Sequence, residues 1–475
     1  MDEIATDLCV IGAGSGGLSV AAGAVQMGAG VVLVEKGRMG GDCLNTGCVP
    51  SKALIKAARI AESVRRAGRF GVNGHEPAID LAGLRRHVQG AIAEIAPHDS
   101  VERFQGLGCT VIKAEARFLD RDRLEAGGRI VRAKRFVLAT GSRPAVPKIP
   151  GLAELPYLTN ESVFDLASLP AHLLVIGGGP IGIELAQAFR HLGSRVTVIE
   201  AASILSKDDP ELVEVVRKRL IADGIDLRER AKIAGATRAG NGTALTVSDE
   251  TGEQRIEGSD LLVAAGRKPN LAQLALDKAG VASTEKGIEV DRRLRTSNPR
   301  IYAVGDAVGD RQFTHWAGYH AGVVIKNALF RLPAKVDLAL CPWVTYASPE
   351  LAQIGLSEAE ARKIHGEDVR VLRASFAEND RARTEADKDG LVKAIVTTRG
   401  RILGCGIVGA DAGELIQVWE LAIRKRLKIG AVAEMVAPYP TRGEASKRAA
   451  GSFYTPVIFG ERTRKIVRFL LGWAR

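Results

Sequence analysis

The chain has 475 residues, of which 46% are hydrophobic and 25% charged, so at about 150 residues per domain it implies about three domains with sizeable cores. Its 53 glycines fall in short clusters and its prolines number only 18, which excludes collagen, coiled coil and whole-chain disorder. The net charge of +11 comes with 5% aromatic residues and no basic stretch interleaved with them, so it describes a solvated surface and gives no support to a nucleic-acid groove.

Residues 8–34 carry no charge, yet Gly12, Gly14, Gly16, Gly17, Gly23, Gly28 and Gly30 break the run, which excludes a membrane span. Met-Asp-Glu precedes it without a basic region, so no secretory signal is read and the cytoplasm is the expected compartment. The run is instead strand, turn, helix and strand: DLCVIGAGSGGLSVAAGAVQMGAGVVLVE, residues 7–35. The same pattern returns as HLLVIGGGPIGIELAQAFRHLGSRVTVIE, residues 172–200, at a constant offset of 165. Each copy holds GxGxxG between a strand and a helix, with an acid about 20 residues on, the fingerprint of a dinucleotide site. Gly12 and Gly177 permit the tight turn, Gly14 and Gly179 admit a pyrophosphate, and Gly17 and Gly182 let helix and strand approach. The helix N-terminus supplies N–H groups and positive dipole to the phosphates, and Glu35 and Glu200 accept ribose hydroxyls. Two sites imply two dinucleotides with a redox group between them. A 2′-phosphate would meet the Glu200 carboxylate, which favours NADH over NADPH, with Arg195 the one nearby cation that opposes this.

Between the copies lies GGDCLNTGCVPSK, residues 40–52. Six cysteines are too few for a disulfide scaffold, and those outside this segment read as small buried hydrophobes. Cys43 and Cys48, with four residues between them and no metal-like Cys/His spacing elsewhere, read as a redox pair rather than a zinc site, and no resident metal is expected. The helical period from Val49 to Arg66, with Pro50 in its first turn, places Cys48 at a helix N-terminus, where the dipole lowers a thiol pKa. Cys43, one loop away, suits the thiol that meets substrate. Three more strands end in small residues, at RFVLATG (135–141), DLLVAAG (260–266) and IYAVGDA (301–307), and make the carboxyl edge of a parallel sheet. Lys36, Gly41, Thr140, Gly141 and Gly266 stand at these turns and exits as further cofactor contacts, and Asp306 binds a polyol hydroxyl or caps the next helix. From about residue 341, VRVLRASF, GLVKAIVTT and ILGCGIVG suggest an antiparallel sheet, and Gly413–Met435 an amphipathic helix plus a turn. The tail, residues 461–475, alternates apolar and basic residues like an interfacial helix; packing on a dimer is the preferred reading.

The first fingerprint, GGDCLNTGCVPSK, GGGPIGIE, AAGRKPN and IYAVGDA, in that order, resemble the class I pyridine nucleotide–disulfide oxidoreductases, the family of dihydrolipoamide dehydrogenase, glutathione reductase and mercuric reductase. The resemblance runs from residue 4 to about 455. It implies an α/β fold with two Rossmann-type domains and a C-terminal α+β dimerisation domain. Residues 1–150, completed by 270–335, would bind FAD, residues 151–269 NAD(P)H, and residues 336–475 would build a homodimer whose partner completes each active site. It further implies Asp306 on the FAD ribitol chain, Cys48 as the charge-transfer thiolate, Cys43 as the interchange thiol, and Lys52 paired with Glu184 near the flavin.

One departure bears on the substrate. Dithiol-oxidising members carry His-Pro-Thr-x-x-Glu near the end, the His acting as acid–base; here the segment is Tyr439-Pro440-Thr441-Arg442-Gly443-Glu444. Glu444 is kept, no histidine follows His365, and a phenol of ordinary pKa about 10 is a poor base near neutrality. Mercuric reductases look similar in having Tyr there, but they also carry a vicinal cysteine pair at the end, and no cysteine follows Cys405. The expected activity is FAD-dependent NAD(P)H oxidoreduction of a disulfide or dithiol, including a protein-bound lipoyl group approached past Arg442, Lys447 and Arg448. The alternatives are a mercuric-type metal-ion reductase using Tyr439 and a membrane-docked flavoprotein whose tail binds a partner or lipid surface.

Overall fold

The computed structural model describes residues 2–250 and 252–473. The chain divides into two compact units, Met1–Ala202 with Ile225–Asp337, and Ser203–Gly224 with Leu338–Arg475.

In the first unit, β1 (Glu3–Ile11) ends in the fully buried run Leu8–Ile11, the continuous apolar pattern of a strand covered on both faces. Helix α1 (Ser15–Gln26) and β2 (Val31–Val34) follow, β2 lying parallel to β1 with Leu8 opposite Val31. Helix α2 (Cys48–Arg66) carries the second cysteine at its first residue. The long β3 (Arg129–Leu138) flanks β1 on its other side, also parallel. Strand Thr110–Ile112 extends the sheet beyond β2, and antiparallel strands Arg123–Ala126 and Ala116–Phe118 extend it beyond the first half of β3. Phe118 and Phe136 meet edge to face in this core, centroids 5.2 Å apart.

The second copy makes β4 (His172–Ile176), α3 (Pro180–His191) and β5 (Arg195–Ile199). The chain then leaves for α4 (Pro210–Ala222), which belongs to the second unit. It returns as β6 (Asp226–Arg228), makes an antiparallel ribbon over Lys232–Gly258, and closes with β7 (Asp260–Val263), giving a parallel sheet in the order β6-β5-β4-β7. Strand β8 (Ile301–Ala303) rejoins the first sheet beside the second half of β3. Helix α5 (Thr314–Ala328) packs on α1 at Gly16, where a Cβ would lie 3.2 Å from Val304 and 3.3 Å from Ala317.

The second unit is an antiparallel sheet, β9 (Trp343–Thr345), β10 (Glu350–Gly355), β11 (Arg370–Ser375), β12 (Leu391–Val396) and β13 (Ile402–Gly409), in the order β9-β10-β13-β12-β11. Trp419 and Phe376 are fully buried in its core. Lys393 on β12 is buried with Nζ 2.8 Å from Asp209, 2.9 Å from Glu211 and 3.0 Å from Glu358, which ties α4 to this sheet. Over residues 413–435 the sequence suggests an amphipathic helix plus a turn. These residues make three short helices, Ala412–Leu415, Gln417–Arg424 and Ile429–Ala433, because Arg426 takes a left-handed φ of 53° and stops the second. Helices α6 (Glu444–Gly451) and α7 (Glu461–Trp473) end the chain. Among the described residues no helix is long and apolar enough to cross a membrane.

Candidate active site

The two fingerprint turns are built alike. Gly12 and Gly177 have φ of 103° and 112°, a region closed to side chains, and a Cβ on either would lie 2.3 or 2.5 Å from the carbonyl oxygen of Ala139 or Ala264. A Cβ on Gly17 or Gly182 would sit 1.9 or 2.0 Å from the Gly12 or Gly177 oxygen, so helix and strand touch backbone to backbone. Gly14 and Gly179 cap α1 and α3 with no side-chain acceptor, leaving the first-turn N–H groups for an anion. The Glu35 carboxylate accepts from the Ala13 and Gly37 amides, each at 2.6 Å. Glu200 repeats this with Gly178 at 2.7 Å and Ala202 at 2.8 Å. Both acids are aimed by their own loops, and each oxygen keeps a lone pair for a ribose hydroxyl. Arg195 begins β5 and Glu200 follows its end, about 16 Å apart along an extended strand, so Arg195 does not oppose Glu200 as the sequence suggested.

The segment after β2 folds back over the first turn. The Gly40 amide donates to Ala13 O at 2.9 Å, and Gly40 bridges Gly14. A Cβ on Gly41 would lie 2.7 Å from Gly14 Cα. Asp42 anchors the loop: it accepts from the Thr46 hydroxyl at 2.7 Å and Asn160 at 3.1 Å, and pairs with Arg267 at 3.0 Å. Arg267 also donates to Ser142 at 2.7 Å, whose hydroxyl donates to Asp306 at 2.5 Å. Burial pushes the Asp306 pKa up against that hydrogen bond, so this acid is poised to satisfy a polar ligand group. The Thr140 hydroxyl, buried beyond the end of β3, has no hydrogen-bond partner among the described residues. These groups, with the bare turn, fit a dinucleotide cofactor along the sheet edge. Gly141 and Gly266, with φ of 65° and 124°, border the same edge, while Lys36 donates to Gln273 at 2.9 Å. Asp42, Asn160, Ser142 and Arg267 were missed in the sequence because their signal is mutual contact across more than a hundred residues.

Cys48 opens α2 and Cys43 sits half-buried one loop earlier, both as free thiols. The Cys48 pKa is lowered to about 6, first by a hydrogen bond from Cys43, then by the Thr314 hydroxyl 3.4 Å away and the charge of Lys52, against the opposing effect of burial. Cys43 is pushed the other way, first by its hydrogen bond to Cys48 and then by burial. One sulfur is therefore held as thiolate and its neighbour as thiol. Lys52, on the same helix face as Cys48, reaches Glu184 of α3 at 2.8 Å, and Glu184 is buried. A cavity of about 360 Å³ borders Cys43, with Ser15, Gly40, Leu44, Phe104 and Thr314 in its wall.

Tyr439 and Glu444 belong to the second unit. The Tyr439 hydroxyl donates to Asp380 at 3.2 Å, and that acceptor raises the phenol pKa, so the phenol keeps its proton near neutrality. Glu444 accepts from the Thr441 amide at 3.2 Å. Arg442 does not face an acidic carrier as supposed. It is buried, 2.6 Å from Glu385 and 3.2 Å from Asp387, while Arg448 pairs with Glu378 at 3.0 Å.

Known proteins match this chain over nearly its full length. The family model of pyridine nucleotide-disulphide oxidoreductases matches residues 6–322, and the dimerisation-domain model of the same family residues 341–450. A mercuric reductase of Staphylococcus aureus is 36% identical over 450 residues, spanning 94% of this chain and 82% of that protein. A dihydrolipoyl dehydrogenase of Geobacillus stearothermophilus is 34% identical over 462 residues, spanning 94% and 96%. Among solved structures, LpdA of Mycobacterium tuberculosis superposes with a TM-score of 0.86 at 26% identity, covering 94% of this chain and 99% of that one. The Cu(II) complex of the HOCl-induced flavoprotein disulfide reductase RclA of Escherichia coli gives 0.83 at 26%, covering 93% and 98%.

Proposed function

This chain belongs to the pyridine nucleotide-disulphide oxidoreductases, and we propose that within the family it works as a reductase, drawing electrons from NADH and delivering them through Cys48 and Cys43 to a disulfide substrate. Members of the family use FAD and NAD(P)H and carry a dimerisation domain, so the enzyme is a flavoprotein with a homodimeric frame. The finer assignment is ours: FAD on the first turn, nicotinamide on the second, with residues 1–150 and 270–335, 151–269 and 336–475 as the three domains.

The observation that carries the direction is the Tyr439 phenol held as a donor by Asp380. Oxidation of a dithiol needs a base to take the substrate's proton, whereas cleavage of a disulfide needs a donor for the thiolate that leaves. Tyr439 and Glu444 are assigned to the substrate face that the partner subunit completes. FAD, when bound, supplies the two-electron link between nicotinamide and the cysteine pair. The dipole of α2, Thr314 and Lys52 hold Cys48 as thiolate, and the Lys52–Glu184 pair keeps that cation in place. Cys43 passes its proton to Cys48 along their hydrogen bond, attacks the substrate disulfide as thiolate and releases one thiolate, which takes a proton from the Tyr439 side; the proton now on Cys48 leaves with the second product. Cys48 then closes the Cys43–Cys48 disulfide and releases the second thiol. One thiol, one thiolate, one proton and a disulfide thus become the Cys43–Cys48 disulfide and two product thiols. A lipoyl group on a carrier protein is one such substrate. NADH is favoured because Glu200, with Arg195 a strand-length away, would repel a 2′-phosphate.

A second reading takes a thiophilic metal ion as the electron acceptor at Cys43. The S. aureus relative is a mercuric reductase, and the structural neighbour RclA was solved with Cu(II). An anaerobic experiment tests both. NADH and then dihydrolipoamide are titrated into the yellow protein while the long-wavelength thiolate–flavin band is followed, and NADH turnover is measured with lipoamide, Hg(II) or Cu(II) as acceptor. The disulfide reading expects the band with NADH and turnover with lipoamide that exceeds turnover of dihydrolipoamide in reverse. Turnover with the metal ions alone, lost in Tyr439→Phe, would replace it with the second reading.

A further inference from the structure

Beyond the matched dimerisation domain, which ends at residue 450, a short helix, Thr455–Ile458, leads into α7, and not one of the thirteen described residues of α7 is buried. At 100° per residue, Phe469, Trp473, Ile466, Leu470, Val467 and Leu471 fall in one arc of about 200°. Arg464, Arg468 and Lys465 occupy the remainder with Glu461 and Gly472; Thr463 lies within the apolar arc between Leu470 and Val467, and Arg462 between Phe469 and Trp473, with a stem long enough to carry its charge to the polar side. The single acid, Glu461, is taken up by Lys465 at 3.2 Å. Four cations against one acid leave the polar face strongly positive. Phe469 is 70% exposed, Leu471 67% and Trp473 84%. The apolar surface continues onto Val457, Ile458 and Phe459, also exposed, and a hydrogen bond from Thr463 to Val457 O at 2.7 Å holds the two segments together.

An apolar arc of this width exceeds the stripe that one packed helix covers, and four of the five charges on the helix are positive. Wide apolar face, cationic polar face and Trp, Phe and Leu in the apolar arc together describe a helix that lies in the plane of a lipid surface. We propose that α7 docks this enzyme reversibly on an anionic membrane surface, its apolar face in the headgroup–acyl boundary and Arg464, Lys465 and Arg468 on the lipid phosphates. No bond is made or broken, and the anchor is a contact distinct from the reductase reading, which stands or falls separately.

The full-length, FAD-loaded protein is floated with vesicles of phosphatidylglycerol and phosphatidylcholine, and with phosphatidylcholine alone. Binding is expected only to the anionic vesicles, fading as salt is raised, since the lipid field reaches about a Debye length. Arg464→Glu should weaken binding at least about fivefold, the worth of one cation at an anionic surface. The double variant Phe469→Asp with Leu470→Asp should abolish it, while NADH-dependent turnover in solution stays unchanged in both. Absence of flotation with anionic vesicles at low salt overturns the proposal, as does binding that survives the double variant. Dissociation of the dimer in the double variant, seen by sedimentation, with no lipid binding by the parent protein, would instead assign the helix to a second copy of the chain and equally overturn it.

Discussion

The two βαβ turns share their backbone and the three glycines of the fingerprint, yet their surroundings differ. Over the first, the segment from Gly40 to Cys48 folds back so closely that Gly41 and Gly14 meet at their α-carbons. At the second, a side chain on Gly179 would meet nothing within 4 Å. A ligand beneath the first turn is enclosed by the loop that carries the cysteines, whereas a ligand on the second has an open approach. On the proposed assignment this is the difference between a resident flavin and a nicotinamide that exchanges at every turnover. The duplicated pattern thus builds the same turn twice, and only the first is covered by the segment that follows it.

Five substitutions and a pH titration break or sharpen that comparison. The largest effect is expected from Cys48→Ser, which has no counterpart beside the second turn. Disulfide turnover should fall by at least about 1000-fold with flavin content and NADH binding intact, measured by steady-state assay and by loss of the long-wavelength band. Next, Gly41→Val drives a side chain into Gly14 at a φ of 62° and should lower flavin content more than about tenfold in the purified protein. Gly179→Ala, filling open space on the second turn, should leave flavin content unchanged and raise only the KM for NADH; equal flavin loss in both would erase the contrast. Third, Glu200→Ala removes a charged hydrogen-bond acceptor, so KM for NADH should rise about tenfold or more while NADPH loses far less. Unchanged NADH preference would remove the basis for choosing NADH.

The smallest and most specific effect is in pH. The Cys48 pKa is lowered from an ordinary 9.0 to about 6, so the thiolate and its flavin band should persist above that pH and fade as pH falls through about 6. A lowered pKa also stabilises the fold, fully above 9.0 and no longer below about 6. Lys52→Met should move the spectral midpoint upward, because the Lys52 charge is one of the groups that hold the thiolate. A midpoint that does not move would leave the hydrogen bonds from Cys43 and Thr314 as the whole cause.

Much of this was legible in residues alone. Glycine spacing, a buried apolar strand and an acid at its end are local requirements, so both turns and both glutamates appear in the structure where the pattern puts them. Cys48 at the head of α2 follows from Pro50 and a helical period. The helix and further turn at 413–435 were expected, but hydrophobic period does not reveal that Arg426 turns left-handed between them. Arg442, basic in sequence and buried in fact, was misjudged because its partners Glu385 and Asp387 come from another loop.

The sequence by itself therefore determined the parts whose physics is local: two phosphate turns, a thiolate at a helix start, an amphipathic tail and a tyrosine in place of a base. Tertiary structure alone decided what those parts meet. Asp42 finds Asn160 and Arg267, Ser142 finds Asp306, and Tyr439 finds Asp380. Each of these pairs joins residues far apart in the chain, where period and propensity carry no signal, and burial then turns such a meeting into a shifted pKa or a fixed charge.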